Sequence, residues 1–396
     1  MRQPETFDVV VVGGGPCGAT AAETLARSGR SVVLLDRAGR IKPCGGAIPP
    51  RLIRDFNIPD HLLVARVTSA RIVSPKDRRV DMPIDGGFVG MVDRDVFDEW
   101  LRERATSAGA RRITGTFEAF ERDESGVALL RYRRKGDSEL SSIRARAVIG
   151  ADGAVSAVAR EAMPQAERVP YVFAYHEIVR SPRNNSQAFD DKRCDVYYRG
   201  QLSPDFYGWI FPHGETTSVG TGSAHKGFSL RDAVGALRET AGLDGAETIR
   251  REGAPIPLRP LSRWDNGRDV VLAGDAAGIV APASGEGIYY AMAGGEMAAQ
   301  AVEEFLATGD ARKLALARKR FMRAHGQVFR MLGLMQWFWY ANDNRRERFV
   351  SICRDRDVQQ LTWDAYMNKE LVRAKPLAHM KIFFKNIAHL TGLVPA

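Results

Sequence analysis

Three glycines and one aspartate near the start of the chain have the spacing of a nucleotide-binding turn. Gly13, Gly15 and Gly18 fit the pattern G-x-G-x-x-G, and Asp36 follows Gly13 by 23 residues. In such a turn the first glycine permits a tight bend, the second lets a pyrophosphate approach the backbone, and the third lets a helix pack closely. A carboxylate at the end of the next strand accepts from ribose hydroxyls. The pattern therefore predicts a site for the ADP part of a dinucleotide.

The surrounding segments supply the elements that this turn needs. The apolar run over residues 7–12 predicts a strand that is buried on both faces, and residues 19–27 are rich in helix formers. A second apolar run over residues 31–35 leads to Asp36. We therefore predict a βαβ unit whose helix N-terminus faces an anion.

Length and composition limit the class of protein. A chain of 396 residues accommodates two domains or one large domain, and a hydrophobic content of 44% supports a packed core. The net charge of +9, mostly from arginine, fits an anionic partner such as a membrane surface, nucleic acid or a phosphorylated substrate. A general preference for arginine explains the charge equally well.

Cysteine usage and hydropathy exclude further classes. Cys17, Cys44, Cys194 and Cys353 form no C-x-x-C pair, so we expect a reducing compartment and neither a disulfide framework nor a zinc site. The N-terminal apolar stretch contains Asp8 and runs into the glycine turn, which argues against a signal peptide. No uncharged apolar stretch approaches the ~20 residues of a membrane-spanning helix.

Cys44 lies in a loop after the second predicted strand, in the sequence Lys42-Pro43-Cys44-Gly45-Gly46. Beside a redox cofactor, this thiol would be able to donate a proton or to contact the cofactor ring. The alternative is a small apolar side chain that fills the loop. Lys42 either pairs with a phosphate or extends into solvent.

Two later turns also follow predicted strands. Strands are predicted over residues 113–118, 127–133 and 142–149, and the last leads to Asp152-Gly153. Gly274-Asp275 follows a short apolar strand, and Gly285 and Gly287 then begin a predicted helix. In a chain that already has a nucleotide turn, these positions indicate contact with a ligand.

A helix is predicted over residues 91–105, with Arg94 in its first turn. Arg94 either points at a cofactor phosphate or ribose, or is an exposed arginine at a helix start.

An aromatic segment predicts a strand of a second sheet. Residues 207–212 read Tyr-Gly-Trp-Ile-Phe-Pro, and residues 218–223 are predicted to be the partner strand. Alternation places Tyr207, Trp209 and Phe211 on one face. This face either packs in the core or forms the wall of an apolar substrate pocket.

The C-terminal region is predicted to be helical and differs in composition. Residues 337–340 read Trp-Phe-Trp-Tyr, and three arginines lie in the eight residues that follow. Residues 321–396 hold twelve Lys/Arg and six Asp/Glu, so they carry six of the nine net positive charges. Aromatic residues beside arginines suit a membrane interface, and residues 381–390 repeat the pattern. The alternative is a helical layer packed on the domain.

The three glycine turns together resemble the FAD fingerprints of the aromatic-hydroxylase-like flavoprotein superfamily. The resemblance implies that the first turn cradles the pyrophosphate, that Asp36 holds the adenosine ribose and that Asp275 holds the ribityl chain. It also implies that Asp152-Gly153 lies near both FAD and NAD(P)H, and that Arg94 lies near the FAD phosphates. No second G-x-G-x-x-G is present, so NADPH would dock transiently.

Within that superfamily, residues 42–46 and 207–212 resemble the geranylgeranyl reductase family. The aromatic tail and residues 357–366 (DVQQLTWDAY) look like the branch that acts in chlorophyll and bacteriochlorophyll synthesis. This resemblance covers essentially the whole chain. It implies an NADPH-driven reductase that saturates three C=C bonds of a geranylgeranyl chain to give phytyl. The substrate would be geranylgeranyl bacteriochlorophyll(ide) or geranylgeranyl diphosphate.

The predicted fold class is α/β, with a Rossmann-like FAD-binding domain interleaved with a mixed β-sheet substrate domain. The predicted segments are 1–70, 91–165 and 262–320 for the FAD-binding domain, 71–90 and 166–261 for the substrate domain, and 321–396 for a helical C-terminal region. We expect a cytoplasmic protein, peripheral on a photosynthetic membrane, that binds no nucleic acid and no metal. The sequence leaves the oligomeric state open.

The candidate catalytic residues are Cys44, Tyr207, Trp209 and Phe211. Cys44 is the first candidate for the proton donor and water is the second, while the aromatic faces would weakly stabilise a developing cation. The candidate cofactor-binding residues all lie in the turns and loops described above. They are Gly13, Gly15, Gly18, Asp36, Lys42, Cys44, Gly45, Gly46, Arg94, Asp152, Gly153, Gly274, Asp275, Pro282, Gly285 and Gly287.

Three alternatives remain. One is the same reduction on ether lipids or menaquinone side chains. Another is a flavin monooxygenase or halogenase on the same fold, although the W-x-W-x-I-P motif of halogenases is absent. The third is a non-enzymatic flavoprotein at a membrane, which would bind FAD without oxidising NADPH.

Overall fold

A computed structural model describes residues 4–37, 41–163 and 167–369. The strands within these ranges are β1 (Glu5–Val12), β2 (Val32–Asp36), β3 (Ala47–Ile48), β4 (Ala65–Val67), β5 (Ser69–Val73), β6 (Arg79–Pro83), β7 (Val89–Met91), β8 (Arg111–Thr114), β9 (Thr116–Arg122), β10 (Ala128–Arg133), β11 (Ser141–Gly150), β12 (Tyr171–Arg180), β13 (Arg193–Tyr197), β14 (Gly208–His213), β15 (Thr216–Ser223), β16 (Thr248–Pro257) and β17 (Val270–Leu272). The α-helices in the same ranges are α1 (Pro16–Arg27), α2 (Pro50–Asp55), α3 (Arg94–Ser107), α4 (Ala157–Ala162), α5 (Leu230–Thr240), α6 (Ile288–Thr308), α7 (Leu316–Trp339), α8 (Asp343–Ile352) and α9 (Arg356–Asn368).

The chain divides into two compact, discontinuous units. The first unit comprises Met1–Lys42, Arg94–Tyr171 and Pro255–Phe329, and the second comprises Pro43–Asp93, Val172–Ala254 and Arg330–Ala396. The predicted fold class, α/β with a mixed second sheet and helices toward the C-terminus, is confirmed. The assignment of cofactor and substrate roles to particular segments stays a prediction.

The first unit is built on a mixed sheet with a parallel centre. Its strand order is β8-β2-β1-β11-β10-β9, and β17 also pairs with β11. The strands β8, β2, β1, β11 and β17 run parallel, whereas β10 is antiparallel to both of its neighbours. Residues 9–12 of β1 are buried, as their apolar run predicts. The strands β1, β11 and β17 end side by side, because Val12 pairs with Gly150 and Gly150 pairs with Leu272.

Helix α1 follows β1 and packs closely on α6. A Cβ at Gly295 of α6 would overlap the carbonyl oxygen of Cys17 in α1. The small residues of α6 therefore serve close helix packing.

The second unit contains a seven-stranded sheet in the order β16-β12-β15-β14-β13-β5-β6, and a small antiparallel sheet, β3-β7-β4. The strands β12, β15, β14 and β13 pair antiparallel, and β13 pairs in parallel with β5. Helix α5 covers one face of the large sheet, where Val234 and Leu237 share a buried core with Ile210 and Val219.

Two predicted elements were wrong at their bounds. Residues 113–118 are not one strand, because Gly115 breaks them into β8 and β9. The N–H of Gly115 donates to the carbonyl oxygen of Asp36, and beyond this bond the chain leaves β2 and pairs with β10. The helix predicted from residue 91 begins at Arg94, because Met91 belongs to β7, which pairs with β3 and β4.

The aromatic tail over residues 337–340 divides between core and surface. Trp339 and Tyr340 are buried, whereas Trp337 is 71% exposed. The burial of Trp339 and Tyr340 agrees with a packed helical layer, and contact of the tail with a membrane stays a prediction. Among the described residues, no helix has the length and apolar character needed to cross a membrane. Residues 381–390 lie outside the described part of the chain.

Candidate functional site

The first glycine turn excludes any side chain at two of its positions. Gly13 has φ +107°, and a Cβ there would lie 2.6 Å from the carbonyl carbon of Ala151. A Cβ at Gly18 would overlap the carbonyl oxygen of Gly13. At Gly15, the N-cap of α1, a Cβ would meet no described atom within 4 Å. This open space at a helix N-terminus suits a phosphate group.

Asp36 points from the end of β2 toward the same turn. The N–H of Gly14 donates to Asp36 Oδ1 at 3.1 Å, and Arg102 Nη1 lies 3.6 Å from Asp36 Oδ2. Arg102 also donates to the carbonyl oxygen of Gly14 at 3.0 Å. Sequence reasoning missed Arg102 in this role, because no local signal links it to a turn 88 residues away.

The three predicted cofactor turns meet at one edge of the sheet in the first unit. They follow β1, β11 and β17, whose carboxyl ends are adjacent. Gly13 is in close contact with Ala151 of the second turn, and a Cβ at Gly274 of the third turn would lie 3.1 Å from Cys17 Sγ. One extended dinucleotide is therefore able to reach all three turns, so this edge fits FAD.

The carboxylate of Asp152 accepts hydrogen bonds at the start of α4. Its oxygens accept from the N–H groups of Ala157 at 2.7 Å and Val158 at 3.1 Å, and from Ser156 Oγ at 2.6 Å. Burial raises the pKa of this carboxyl group. Asp152 therefore caps α4 and fixes the backbone of the second turn, which includes Gly153 at φ +92°.

Asp275 and Lys42 form an ion pair across 233 residues of sequence. Both were predicted to contact the cofactor, but their contact with each other was not predicted. Asp275 is buried in the short 3₁₀ turn Gly274–Ala277. Burial raises the pKa of the neighbouring Cys17 thiol, and the charge on Asp275 adds to this, so Cys17 is a neutral thiol.

The remaining candidates in the first unit have mainly local contacts. Arg94 is buried, and its Nε and Nη2 each lie 2.8 Å from a carboxylate oxygen of Asp98. Gly285, at φ +65°, closes the turn that contains Pro282, and Gly287 is the N-cap of α6. A contact of any of these residues with FAD stays a prediction.

In the second unit, β14 has the predicted alternation. Gly208 and Ile210 face the core under α5, and a Cβ at Gly208 would lie 2.8 Å from Leu237. The opposite face carries Trp209 and Phe211, whose ring centroids are 6.3 Å apart. The ring of Tyr207, just before β14, lies 6.1 Å from that of Trp209. We refer to Tyr207, Trp209 and Phe211 as the aromatic face.

The Cys44 loop lies directly on this aromatic face. A Cβ at Gly45 would lie 2.8 Å from the ring of Phe211, and a Cβ at Gly46, at φ +70°, would overlap the ring of His213. The N–H of Gly46 donates to Cys44 Sγ at 3.4 Å. The two segments that carried the resemblance to one family are therefore in contact.

A chain of hydrogen bonds fixes the orientation of Trp209. Its Nε1–H donates to Ser218 Oγ at 3.1 Å, and Ser218 Oγ lies 2.9 Å from Nδ1 of His176. Nε2 of His176 lies 2.9 Å from a carboxylate oxygen of Glu252. The rings of Trp209 and His176 both require Gly220 between them, because a Cβ there would overlap Trp209. A glycine inside a strand was the only sequence signal for this close approach.

Tyr207, at one end of the aromatic face, belongs to a group of three buried tyrosines with Tyr198 and Tyr340. Tyr340 Oη donates to Tyr198 Oη at 3.2 Å, and the ring of Tyr198 lies 6.0 Å from that of Tyr207. Burial raises the pKa of all three hydroxyl groups, and for Tyr207 the nearby Tyr198 and Cys44 add to the rise. Tyr207 is therefore a neutral phenol in the neighbourhood of Cys44.

Helix α9 contributes aromatic residues to the apolar cluster against which Phe211 also packs. Trp363 and Tyr366 belong to one apolar cluster with Phe211 and the buried Cys194. The sequence singled out this helix only through its resemblance to a family branch. The structure shows that α9 and Phe211 pack on the same buried cluster.

Comparisons with known proteins bear on the cofactor and the family. A family model described as "FAD binding domain" matches residues 6–325. The chain is 60% identical over 389 residues to a geranylgeranyl diphosphate reductase of Rhodobacter capsulatus, with 98% of each chain covered. It is 36% identical over 399 residues to a geranylgeranyl diphosphate reductase of Synechocystis, covering 96% of this chain and 97% of the relative.

A solved structure has the same fold. It is that of a geranylgeranyl bacteriochlorophyll reductase-like protein from Thermoplasma acidophilum, with a TM-score of 0.80 and 24% identity over 95% of this chain and 100% of that chain. FAD is confirmed as the cofactor that this fold accommodates. The chain belongs to the geranylgeranyl reductase family of FAD-binding flavoproteins.

Proposed function

We propose that this protein is an FAD-dependent, NADPH-driven reductase that saturates three C=C bonds of a geranylgeranyl chain to give phytyl. The chain to be reduced is carried by a diphosphate or by a bacteriochlorophyll(ide), and the product serves (bacterio)chlorophyll synthesis. The observation that carries this proposal is the contact between the Cys44 loop and Phe211 of the aromatic face. It brings a thiol and an apolar aromatic surface together in a chain closely related to geranylgeranyl diphosphate reductases.

The first unit supplies the residues that would hold FAD. The N-terminus of α1, with the open space at Gly15, would receive the pyrophosphate, and Asp36 would accept from the adenosine ribose. Asp275, which is paired with Lys42, would hold the ribityl chain. The chemistry that FAD supplies when bound is hydride transfer, from NADPH to one carbon of an isolated C=C bond.

Cys44 supplies the proton that completes each reduction. The hydride adds to one alkene carbon and the thiol proton adds to the other, so that one H₂ equivalent enters for each NADPH oxidised. The sulfur that remains lies within hydrogen-bond distance of the N–H of Gly46 and regains a proton from water. Because the alkene is not polarised by a carbonyl group, the faces of Trp209 and Phe211 weakly stabilise the positive charge that develops.

Reduction of three C=C bonds requires the prenyl chain to move between reactions. The aromatic face, in which Tyr207 and Trp209 are buried and Phe211 is half-buried, is rigid and apolar, and the indole N–H of Trp209 is already bonded to Ser218. Such a surface binds each isoprene unit in a similar way. The chain therefore slides along the face or rebinds.

We further propose that the second unit contacts a membrane surface through α7. Met331, Leu334 and Trp337 lie three residues apart on this helix and are 40%, 63% and 71% exposed. We refer to them as the α7 apolar face. Arg330, beside it, is exposed, and residues 321–396 hold most of the excess positive charge of the chain. An apolar helix face with neighbouring arginines suits an anionic lipid surface, where an amphipathic prenyl substrate would also reside.

An anaerobic assay tests the proposed reaction. The FAD-loaded protein is incubated with NADPH and either geranylgeranyl diphosphate or geranylgeranyl bacteriochlorophyll, and the products are analysed by mass spectrometry. We expect products that are heavier by one, two and three pairs of hydrogen atoms. If neither substrate gains hydrogen, or if NADPH is consumed only in the presence of oxygen, the proposal is wrong and a monooxygenase becomes the better interpretation.

A further inference from the structure

The loop that carries Cys44 is anchored differently on its two sides. On the C-terminal side, the carbonyl oxygen of Gly46 accepts from the N–H of Val92 at 2.9 Å, and the following residues form β3, which pairs with β7. On the side of Cys44, the loop is anchored by the side chain of His213, whose Nε2 lies 3.0 Å from the carbonyl oxygen of Gly45. The location of the thiol therefore depends on where His213 is held.

His213 is itself held in one orientation. Its Nδ1 lies 3.2 Å from Asp93 Oδ1, and its side chain is only 5% exposed. Carbonyl and carboxylate oxygens only accept hydrogen bonds, so the ring bonds to both Gly45 and Asp93 only when both of its nitrogens carry hydrogen. A neutral ring retains one of the two bonds. The ring also lies close to Gly46, where a Cβ would overlap it.

We propose that His213, oriented by Asp93, is the positioning residue that holds Cys44 against the aromatic face. His213 donates no proton to the substrate in this account. It fixes Gly45, and Gly45 in turn lies against the ring of Phe211. The proposal deepens the proposed function, since it rests on the role given there to Cys44.

The reactivity of the Cys44 thiol reports on this arrangement without any turnover. Cys17, Cys194 and Cys353 are buried, and Cys44 is half-buried. A bulky aromatic disulfide reagent will therefore react first with Cys44, and the rate measured in Cys44→Ala is subtracted as background. Exposure of the thiol by opening of the loop increases this rate.

Two amides separate the two hydrogen bonds of His213. The amide nitrogen of His213→Gln takes the place of Nε2 and retains the donor to Gly45, whereas that of His213→Asn takes the place of Nδ1 and retains only the donor to Asp93. We expect the Asn variant to react about fivefold faster than wild type and the Gln variant to stay within about twofold of it, because only the first loses the bond to the loop. His225, an exposed histidine, provides the control His225→Asn, which should not change the rate.

Several outcomes decide the proposal. Equal rates in the Asn and Gln variants, or a rate in the Asn variant that does not exceed that of wild type, overturn it, since packing on Phe211 would then suffice to hold the loop. If His213→Asn does not fold, Asp93→Ala takes its place, because the Asp93 side chain is 42% exposed. That variant should react about twofold faster, and an unchanged rate overturns the proposal.

A second readout separates this proposal from the proposed function. In the anaerobic assay, His213→Asn should lower kcat and leave KM nearly unchanged, because the substrate surface is intact. If the wild-type protein reduces no prenyl substrate but the difference between Asn and Gln persists, then the proposed function is wrong and the positioning role stands. If the wild-type protein is active but the two variants react alike, then only the positioning role is wrong.

Discussion

The cofactor turns of the first unit and the aromatic face of the second unit are built on different principles. The turns consist mainly of backbone geometry, with glycines at φ +107° and +61° and three adjacent strand ends. The aromatic face consists of side chains of β14 and of Tyr207 just before it. Side chains of β12 and β15 fix Trp209 through single hydrogen bonds, and the Cys44 loop lies against Phe211. Where backbone packs on backbone, as at Gly13 and Gly18, the turn has no room for an added atom. A site made of side chains tolerates change but loses its alignment.

The largest effect that we expect is that of Gly18→Ala. The added Cβ overlaps the carbonyl oxygen of Gly13, so α1 must move away from the turn. We expect a loss of about 3 kcal/mol in the free energy of unfolding, measured in urea, together with loss of FAD binding. The matched control is Gly235→Ala on α5, where a Cβ meets no described atom within 4 Å and helix propensity should raise stability by up to about 1 kcal/mol. Wild-type stability in Gly18→Ala would contradict the backbone account of the turn.

Cys44→Ala tests the side-chain site with little effect on the fold. Removal of the proton donor should lower kcat for prenyl reduction by about 10²-fold, with FAD content and KM nearly unchanged. Cys44→Ser retains a weaker acid in the same place, so its kcat should lie between that of wild type and that of Cys44→Ala. Full turnover in Cys44→Ala would remove Cys44 from this role and leave water as the donor.

Gly15→Ala separates binding of the cofactor from stability of the protein. Because the Cβ would point into open space, the free energy of unfolding without FAD should stay within about 0.5 kcal/mol of wild type. The same methyl group obstructs the pyrophosphate, so FAD affinity, titrated by flavin fluorescence, should fall by about 10²-fold. Unchanged affinity would mean that the pyrophosphate lies elsewhere.

Breaking the hydrogen-bond chain behind Trp209 should lower the free energy of unfolding by less than Gly18→Ala does. Ser218→Ala leaves the indole N–H buried without its acceptor, which should cost about 1–3 kcal/mol in urea unfolding. Trp209→Phe removes the donor, so the double variant should be more stable than the sum of the single changes predicts, by about 1 kcal/mol. Simple additivity would show that Ser218 does not orient Trp209.

The smallest effect concerns the α7 apolar face. Trp337→Ser should weaken sedimentation with anionic lipid vesicles about fivefold and leave the reduction of a detergent-dispersed substrate unchanged. Leu140, an apolar residue of the first unit that is 43% exposed, provides the control Leu140→Ser. Equal loss in the two variants would indicate nonspecific adsorption.

The difference between the backbone turns and the side-chain contacts also explains which features the sequence could predict. The first turn was predictable because its glycines, strand and helix are consecutive in the chain, and their chemistry is set by spacing. The strand predicted over residues 113–118 failed at Gly115 because its two halves pair with different partners, which is long-range information. Arg102 and His213 were missed for the same reason, since each acts on a loop more than 80 residues away.

The segment 42–46 has features of both kinds, some set by its local sequence and others by long-range contacts. Its composition indicated a special loop, and resemblance to a family indicated which one. The sequence could not predict that Lys42 pairs with Asp275 while Gly45 lies against Phe211, because both contacts depend on tertiary structure. The sequence also could not predict that Tyr340 is buried and Trp337 is exposed, because consecutive aromatic residues do not show which side of a helix is covered.

The most direct test of the central claim is an anaerobic two-step measurement on wild type and Cys44→Ala. FAD-loaded protein is first mixed with one equivalent of NADPH and then with geranylgeranyl diphosphate, and the absorbance of the bound cofactor is followed. We predict that bleaching by NADPH has the same rate in both proteins, and that recovery with the prenyl substrate is about 10²-fold slower in Cys44→Ala. Equal recovery rates, or equal slowing of both steps, would contradict the assignment of proton donation to the side-chain site.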